Sequence, residues 1–244
     1  MGKWSELVGE AFLDWLASDS GLRWLDVGCG NGAFTELLVE RCAPVSVQGI
    51  DPSEAQLAFA RRRPVSRVAQ FRQGDAMALP FPDDSFDVAV MALVIFFVPD
   101  PARGVAEMAR VVSSGGAVTA YAWDMVEGGF PYHSLQSEMR ELGVAVPAPA
   151  SPDASGIEAM QDLWTAAGLA DVATREITVQ RTFSDFDDYW TTVAGGPSVG
   201  PSLAAMASGD LDLLKTRMRA RLPAGSGSRI TYSARANAVR GSVR

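Results

Sequence analysis

Leu25-Asp26-Val27-Gly28-Cys29-Gly30-Asn31-Gly32 is the stretch on which the reading of this chain turns. An apolar run ends in an acid, closely spaced glycines follow, and Ala33-Phe34-Thr35-Glu36-Leu37-Leu38 continues with helical character. Glycine lets the backbone turn sharply and approach a ligand. A helix opening straight after a strand aims its N-terminus into the crevice at the strand's carboxyl end. Gly28 and Gly30 therefore predict a cradle for a small polar ligand.

Two acids narrow the ligand. In a dinucleotide-binding turn the helix N-terminus meets a pyrophosphate, for which a carboxylate two residues before the first glycine is a poor neighbour. Asp26 is such a carboxylate, and it suits an ammonium group held directly or through water. Asp51 ends the next apolar run, Val45-Ser46-Val47-Gln48-Gly49-Ile50, where a carboxylate can accept from both hydroxyls of a ribose. An amine and a ribose in one ligand suggest S-adenosylmethionine.

Three further stretches follow in order: Gly49-Ile50-Asp51-Pro52-Ser53, Gly74-Asp75-Ala76, and Leu79-Pro80-Phe81-Pro82-Asp83-Asp84-Ser85-Phe86-Asp87. With the glycine turn, these resemble the motifs of class I S-adenosylmethionine-dependent methyltransferases, in particular the small-molecule branch that includes the ubiquinone and menaquinone biosynthesis enzymes. The resemblance spans roughly residues 22 to 122. The ordered set is more specific than the glycines alone, since Gly28-x-Gly30-x-x-Ala33 also satisfies a loose dinucleotide fingerprint. It implies that Gly28 and Gly30 pass under the methionine portion and that Asp26 reaches its amine. It further implies that Asp51 holds the ribose, with Pro52 on the adenine face and Gln56 as a ribose or adenine neighbour. Asp75 would accept from the adenine N6 amine, Ala76 would donate a backbone N–H, and Ala92 and Leu93 would line the reactive sulfur.

Apolar periodicity places strands near 23–27, 45–50, 67–72, 86–92 and 116–122, with helices near 32–42, 53–62 and 101–112, the alternation of parallel βαβ units. Trp4, Leu7, Val8, Phe12, Trp15 and Leu16 form the apolar stripe of a leading helix. Later come a helix at Ile157–Ala167, a strand at Ala170–Gln180 and a closing strand at Arg229–Val239. The expected fold is α/β: a Rossmann-like, doubly wound, seven-stranded sheet, mostly parallel with an antiparallel closing strand. Residues 1–244 form a single methyltransferase domain in this reading, with substrate-side helical cap insertions at 123–155 and 183–225. The second insertion carries the loop Gly195–Pro201 and ends in a short flexible turn at Ala224–Ser228.

The 244 residues are 48% hydrophobic, enough for one sizeable domain. A net charge of −8 opposes binding to DNA or large RNA, and no apolar run reaches the roughly 18 residues of a membrane span. Arg61, Arg62 and Arg63 read as a solvated helix end. Cys29 and Cys42 fit neither a metal site nor a disulfide framework, so a cytoplasmic location is expected.

Methyl transfer from a sulfonium is an in-line displacement, in which a protein chiefly aligns the reactants and excludes water. A base is needed only for some acceptors, and His133, the sole histidine, is the candidate. Tyr121, Trp123, Phe130, Tyr132, Tyr189 and Trp190 gather at the fifth strand's end and in the insertions. Of these, Trp123, Tyr132 and Tyr189 are the candidates for the acceptor wall. Asp185, Asp187 and Asp188 are spaced for a helix start, and no metal site is expected. The partner is a small-molecule acceptor, and oligomeric state is not legible. Two alternatives stay open: an NAD(P)-dependent oxidoreductase, and a cofactor-binding scaffold or sensor without turnover.

Overall fold

The computed structural model describes residues 2–196, 199–222 and 229–244. Its centre is a seven-stranded sheet in the order β3-β2-β1-β4-β5-β7-β6. The strands are β1 (Arg23–Val27), β2 (Ser46–Asp51), β3 (Ala69–Gln73), β4 (Phe86–Ala92), β5 (Val112–Trp123), β6 (Ala170–Phe183) and β7 (Ile230–Ser242). The first five pair in parallel, and β7 runs antiparallel between β5 and β6. The closing strand is thus an inner strand, which explains why Ala234, Ala236, Ala238 and Val239 are all buried.

β1 is short and apolar because both of its faces are covered, the usual state of a parallel strand. Trp24, Leu25 and Val27 are fully buried there, each worth roughly 1.5–3 kcal/mol of apolar transfer. Helix α1 (Lys3–Leu16) lays its stripe of Trp4, Val8, Phe12, Leu13 and Leu16 into the core, packed on β6, β7 and α2 (Ala33–Cys42). Helix α3 (Glu54–Ala60) starts at Ser53, whose side chain accepts from Gln56 N. Helix α4 (Pro101–Val111) starts at Asp100, which accepts from Arg103 N and is followed by a proline at N1. Strand order reverses between β2-β1 and β4-β5, and at such a switch point the loops leave a crevice at the strands' carboxyl ends.

Three expectations need correction. β5 begins at Val112, directly after α4, earlier than the expected 116, and the ladder with β4 shifts register between Phe86 and Val88. β6 and β7 each run three residues beyond their expected ends because they pair along nearly their whole length. Arg63 is not merely solvated: its Nε donates to Asn31 O at 2.6 Å and its Nη1 reaches Glu36 at 2.6 Å, tying the end of α3 to the glycine turn.

The two segments expected as insertions hold α5 (His133–Glu141) and, beyond α6 (Ile157–Ala166) and β6, α7 (Phe186–Ala194), α8 (Gly200–Ala204) and α9 (Ser208–Arg221). Asp185 caps α7 by accepting from Asp188 N at 2.9 Å, the helix-start role its spacing predicts. Arg217 and Arg221 of α9 meet Glu138 of α5 at 3.3 and 2.5 Å. At the cap's root, buried Asp124 accepts from Val126 N and Glu127 N and pairs with Arg235 of β7 at 2.6 Å. Pro197 and Ser198 of the Gly195–Pro201 loop and the Ala224–Ser228 turn lie outside the described residues.

Candidate active site

A cavity of about 520 Å³ opens at the carboxyl ends of β1, β2 and β4. Gly28, Gly30, Asp51, Pro52, Gln56, Asp75, Ala76, Ala92 and Leu93 all line it. These residues are far apart in sequence, and parallel pairing brings them to one edge: Asp26 lies opposite Gly49, and Asp51 opposite Gln73.

The glycine turn is held in a conformation that only glycine adopts easily. Gly28 has φ 79° and Gly30 φ 53°. A Cβ at Gly28 would stand 2.5 Å from Val94 Cγ2, so backbone and neighbour approach closer than any side chain permits. The amides of Gly28 and Cys29 both donate to Ile50 O, at 2.7 and 3.0 Å, fastening the turn to β2.

Asp51, 9% exposed, completes that link. Its Oδ2 accepts from Gly30 N at 2.9 Å and its Oδ1 from Ser53 N at 2.8 Å. Each carboxylate oxygen has a second acceptor site, so Asp51 can organise both loops and still receive two hydroxyls. Asp75 Oδ1 accepts from Met77 N at 2.9 Å, which shapes the loop beside Ala76.

Asp26 departs from the expectation that it lines the ligand site. It is fully buried beneath the turn and is absent from the cavity wall. One oxygen accepts from Thr35 Oγ1 of α2 at 2.6 Å, and the other, Oδ1, has no partner among the described residues. Burial pushes its pKa from an ordinary 3.8 up to about 7; the Thr35 hydrogen bond opposes the rise and the charge of Asp51 adds to it. Burial likewise pushes the Cys29 thiol up, and the charges of Asp26 and Asp51 push it further, so it stands protonated and inert.

The proposed acceptor-side residues do not gather here. His133 is exposed at the first position of α5, with its ring against Gly128, and does not line the cavity. Trp123 and Tyr189 are buried in the core at 4% and 3% exposure, Tyr189 edge-on to Phe183 at 5.4 Å. Tyr132 packs edge-on against Phe130 at 5.6 Å. These aromatics, expected as an acceptor wall, pack instead against one another and the core. Ser5, Asn31, Phe34, Val94, Phe97 and Tyr121 line the cavity beyond the expected set. Of these only Tyr121 carried a sequence signal, its place two residues before the end of an apolar strand. The others arrive from α1 (Ser5), the glycine turn (Asn31), the first turn of α2 (Phe34) and the loop after β4 (Val94, Phe97), and the motifs gave none of their side chains a ligand role.

Residues 25–120 match the protein family described as a methyltransferase domain. Over that stretch, less than half of the chain, it resembles a methyltransferase domain. An uncharacterized Mycobacterium bovis protein is 28% identical to the chain over 206 residues, 80% of this chain and 74% of that one. The rice chloroplast protein 2-methyl-6-phytyl-1,4-hydroquinone methyltransferase 2 is 43% identical over 95 residues, 39% of this chain and 27% of its own length. The matched stretch thus spans about a quarter of that relative. Among solved structures, YcgJ of Bacillus subtilis superposes with a TM-score of 0.63 at 19% identity, covering 97% of this chain and 98% of that one. At that identity the likeness is one of fold, and the fold is the Rossmann-like sheet described above. Among the described residues, no helix is long and apolar enough to cross a membrane.

Proposed function

We propose that the chain transfers a methyl group from S-adenosylmethionine to a small, partly apolar acceptor. The observation that carries this reading is a single cavity that joins the glycine turn, Asp51 and the Asp75-Ala76 pair, with a fully buried carboxyl under one end. The donor fits these residues. The Gly28 cradle has no room for a side chain, Asp51 has acceptor sites for two ribose hydroxyls, and the unpartnered Oδ1 of Asp26 needs a cationic or donor group. The bound donor supplies an electrophilic methyl on a sulfonium. Asp51 and Gly30 fix the ribose end, Pro52, Gln56, Asp75 and Ala76 surround the adenine, and Ala92, Leu93 and Val94 wall off water at the reacting end.

Phe34, Phe97, Leu93 and Val94 give the acceptor side an apolar character. The rice relative is named for a phytyl hydroquinone, an aromatic ring with an apolar tail. Phe97, 61% exposed at the cavity, offers such an acceptor an apolar edge. His133 stands outside this arrangement and we assign it no proton transfer. We read residues 1–244 as one domain with its cap at 123–155 and 183–225, and place it in the cytoplasm on its two free cysteines.

Calorimetric titration of ligand-free protein with S-adenosylhomocysteine, with NADH titrated in parallel, tests the reading. Micromolar or tighter binding of the nucleoside alone supports it. Binding of NADH alone sinks it in favour of an oxidoreductase, although the buried carboxyl of Asp26 argues against a pyrophosphate above it. A saturable cofactor site with no turnover across an acceptor panel would favour the scaffold alternative.

A further inference from the structure

Tyr121 is a polar group of the cavity that the sequence motifs leave without a role. It is 1% exposed, yet it lines the cavity. Its ring is clamped by Phe12 of α1 at 4.6 Å and Phe34 of α2 at 5.6 Å. It faces Ala92 across the β4-β5 ladder, and its carbonyl accepts from Leu93 N at 2.8 Å. Gly9 makes room for the hydroxyl: a Cβ there would lie 3.2 Å from it and 3.0 Å from Leu37 Cδ2. No hydrogen bond from the described residues reaches that hydroxyl, which leaves it free for a ligand in the cavity its residue lines.

Beneath the glycine turn lies a buried oxygen without a partner among the described residues. It is Oδ1 of Asp26, whose carboxyl is anchored on Thr35, the residue next to Phe34 in the first turn of α2. Burial, with the negative charge of Asp26 adding to it, pushes the Tyr121 phenol well above its ordinary value and keeps it neutral. Among the described residues, the cavity wall holds no Lys, Arg or His. A zwitterionic group entering this end must find a negative oxygen for its ammonium and a neutral donor for its carboxylate.

We propose that Tyr121 is a cofactor-binding residue whose hydroxyl, with the free oxygen of Asp26, receives the amino-acid end of the methyl donor. The inference rests on the methyl-donor reading above. Asp26 meets the ammonium, directly or through one water, and the Tyr121 O–H donates to the carboxylate.

Tyr121→Phe keeps the ring that Phe12 and Phe34 hold and removes only the hydroxyl. Its affinities for S-adenosylhomocysteine and for 5′-methylthioadenosine, which lacks the amino-acid end, are measured by calorimetry beside the thermal midpoint of the ligand-free protein. The expected result is a roughly 5- to 20-fold loss for S-adenosylhomocysteine, no more than about a twofold change for 5′-methylthioadenosine, and an unchanged or higher midpoint. Equal weakening of both ligands, no weakening of either, or a lowered midpoint overturns the assignment, because each assigns the hydroxyl a role other than the amino-acid end. Wild-type protein that binds neither nucleoside would instead remove the methyl-donor reading itself. Wild-type protein that binds both, with an unaltered variant, removes only the role of Tyr121.

Discussion

The two halves of the molecule answer to different physics. At the cofactor edge, each residue sits at the end of a strand or in the turn that follows, and the parallel ladder carries local position directly into spatial position: Asp26, Asp51 and Ala92 end or nearly end consecutive neighbours β1, β2 and β4. In the cap, α5 and α9 meet through Glu138, Arg217 and Arg221, residues about eighty positions apart, and no strand register dictates where a side chain ends up. A motif can therefore be read as a site at the sheet edge, whereas an aromatic residue in the cap can be read only as apolar.

The largest expected effect breaks the cofactor edge. Asp51→Ala removes the carboxylate that receives Gly30 N and Ser53 N and faces the cavity. It should weaken S-adenosylhomocysteine binding by about 2–3 kcal/mol. A loss of less than about threefold by calorimetry would show the ribose to be held elsewhere.

Next, Arg235→Ala strikes the root of the cap. Asp124, 2% exposed, loses its partner at 2.6 Å, which should cost about 2 kcal/mol of stability. That is a fall of about 4–8 °C in thermal midpoint for a chain of this size. Cofactor affinity should stay the same; a parallel loss would mean the two halves are coupled.

A smaller effect comes from Asp26. Burial keeps this carboxyl neutral up to about pH 7 against an ordinary 3.8. The folded chain therefore holds a proton that the unfolded chain has released. Stability of the ligand-free fold falls as pH rises from about 4 to 7 and levels off above, the reverse of the usual carboxylate case. A cationic ligand prefers the ionised form, so affinity should rise about tenfold between pH 6 and 8, and Asp26→Asn should flatten that profile. A flat profile in the wild type would separate Asp26 from the ammonium.

The smallest effect is expected from His133→Ala. The ring is exposed and outside the cavity wall, so cofactor affinity should be unchanged and turnover within about twofold, since surface substitutions away from a site do little. A drop of tenfold or more in turnover would show that α5 closes over the acceptor.

Much of the sheet and most of the cofactor edge were legible because their signals are local. A run of β-branched and apolar residues ending in glycine or aspartate marks a strand and its exit, and the order of motifs matches the order of strands. What was not legible follows from long-range packing. The inward position of β7 and the clamp of Arg63 on Asn31 O depend on partners dozens to more than a hundred residues away. Asp26 shows the boundary within one residue: the sequence singled it out as an acid meant for a cation, but only the structure shows it buried beneath the turn, off the cavity wall, with one oxygen spent on Thr35.

The sequence by itself determined the α/β alternation, the glycine cradle and the paired acids, because backbone conformation and periodicity are set by residues within a turn or a strand of one another. Tertiary structure alone decided which aromatics became wall and which became core. Phe34 and Tyr121 line the cavity because α2 and β5 converge on it, while Trp123 and Tyr189 are buried in the core. Apolar side chains are driven out of water without a preferred direction, so hydrophobicity states that they will be covered, and only the packing of the whole chain states by what.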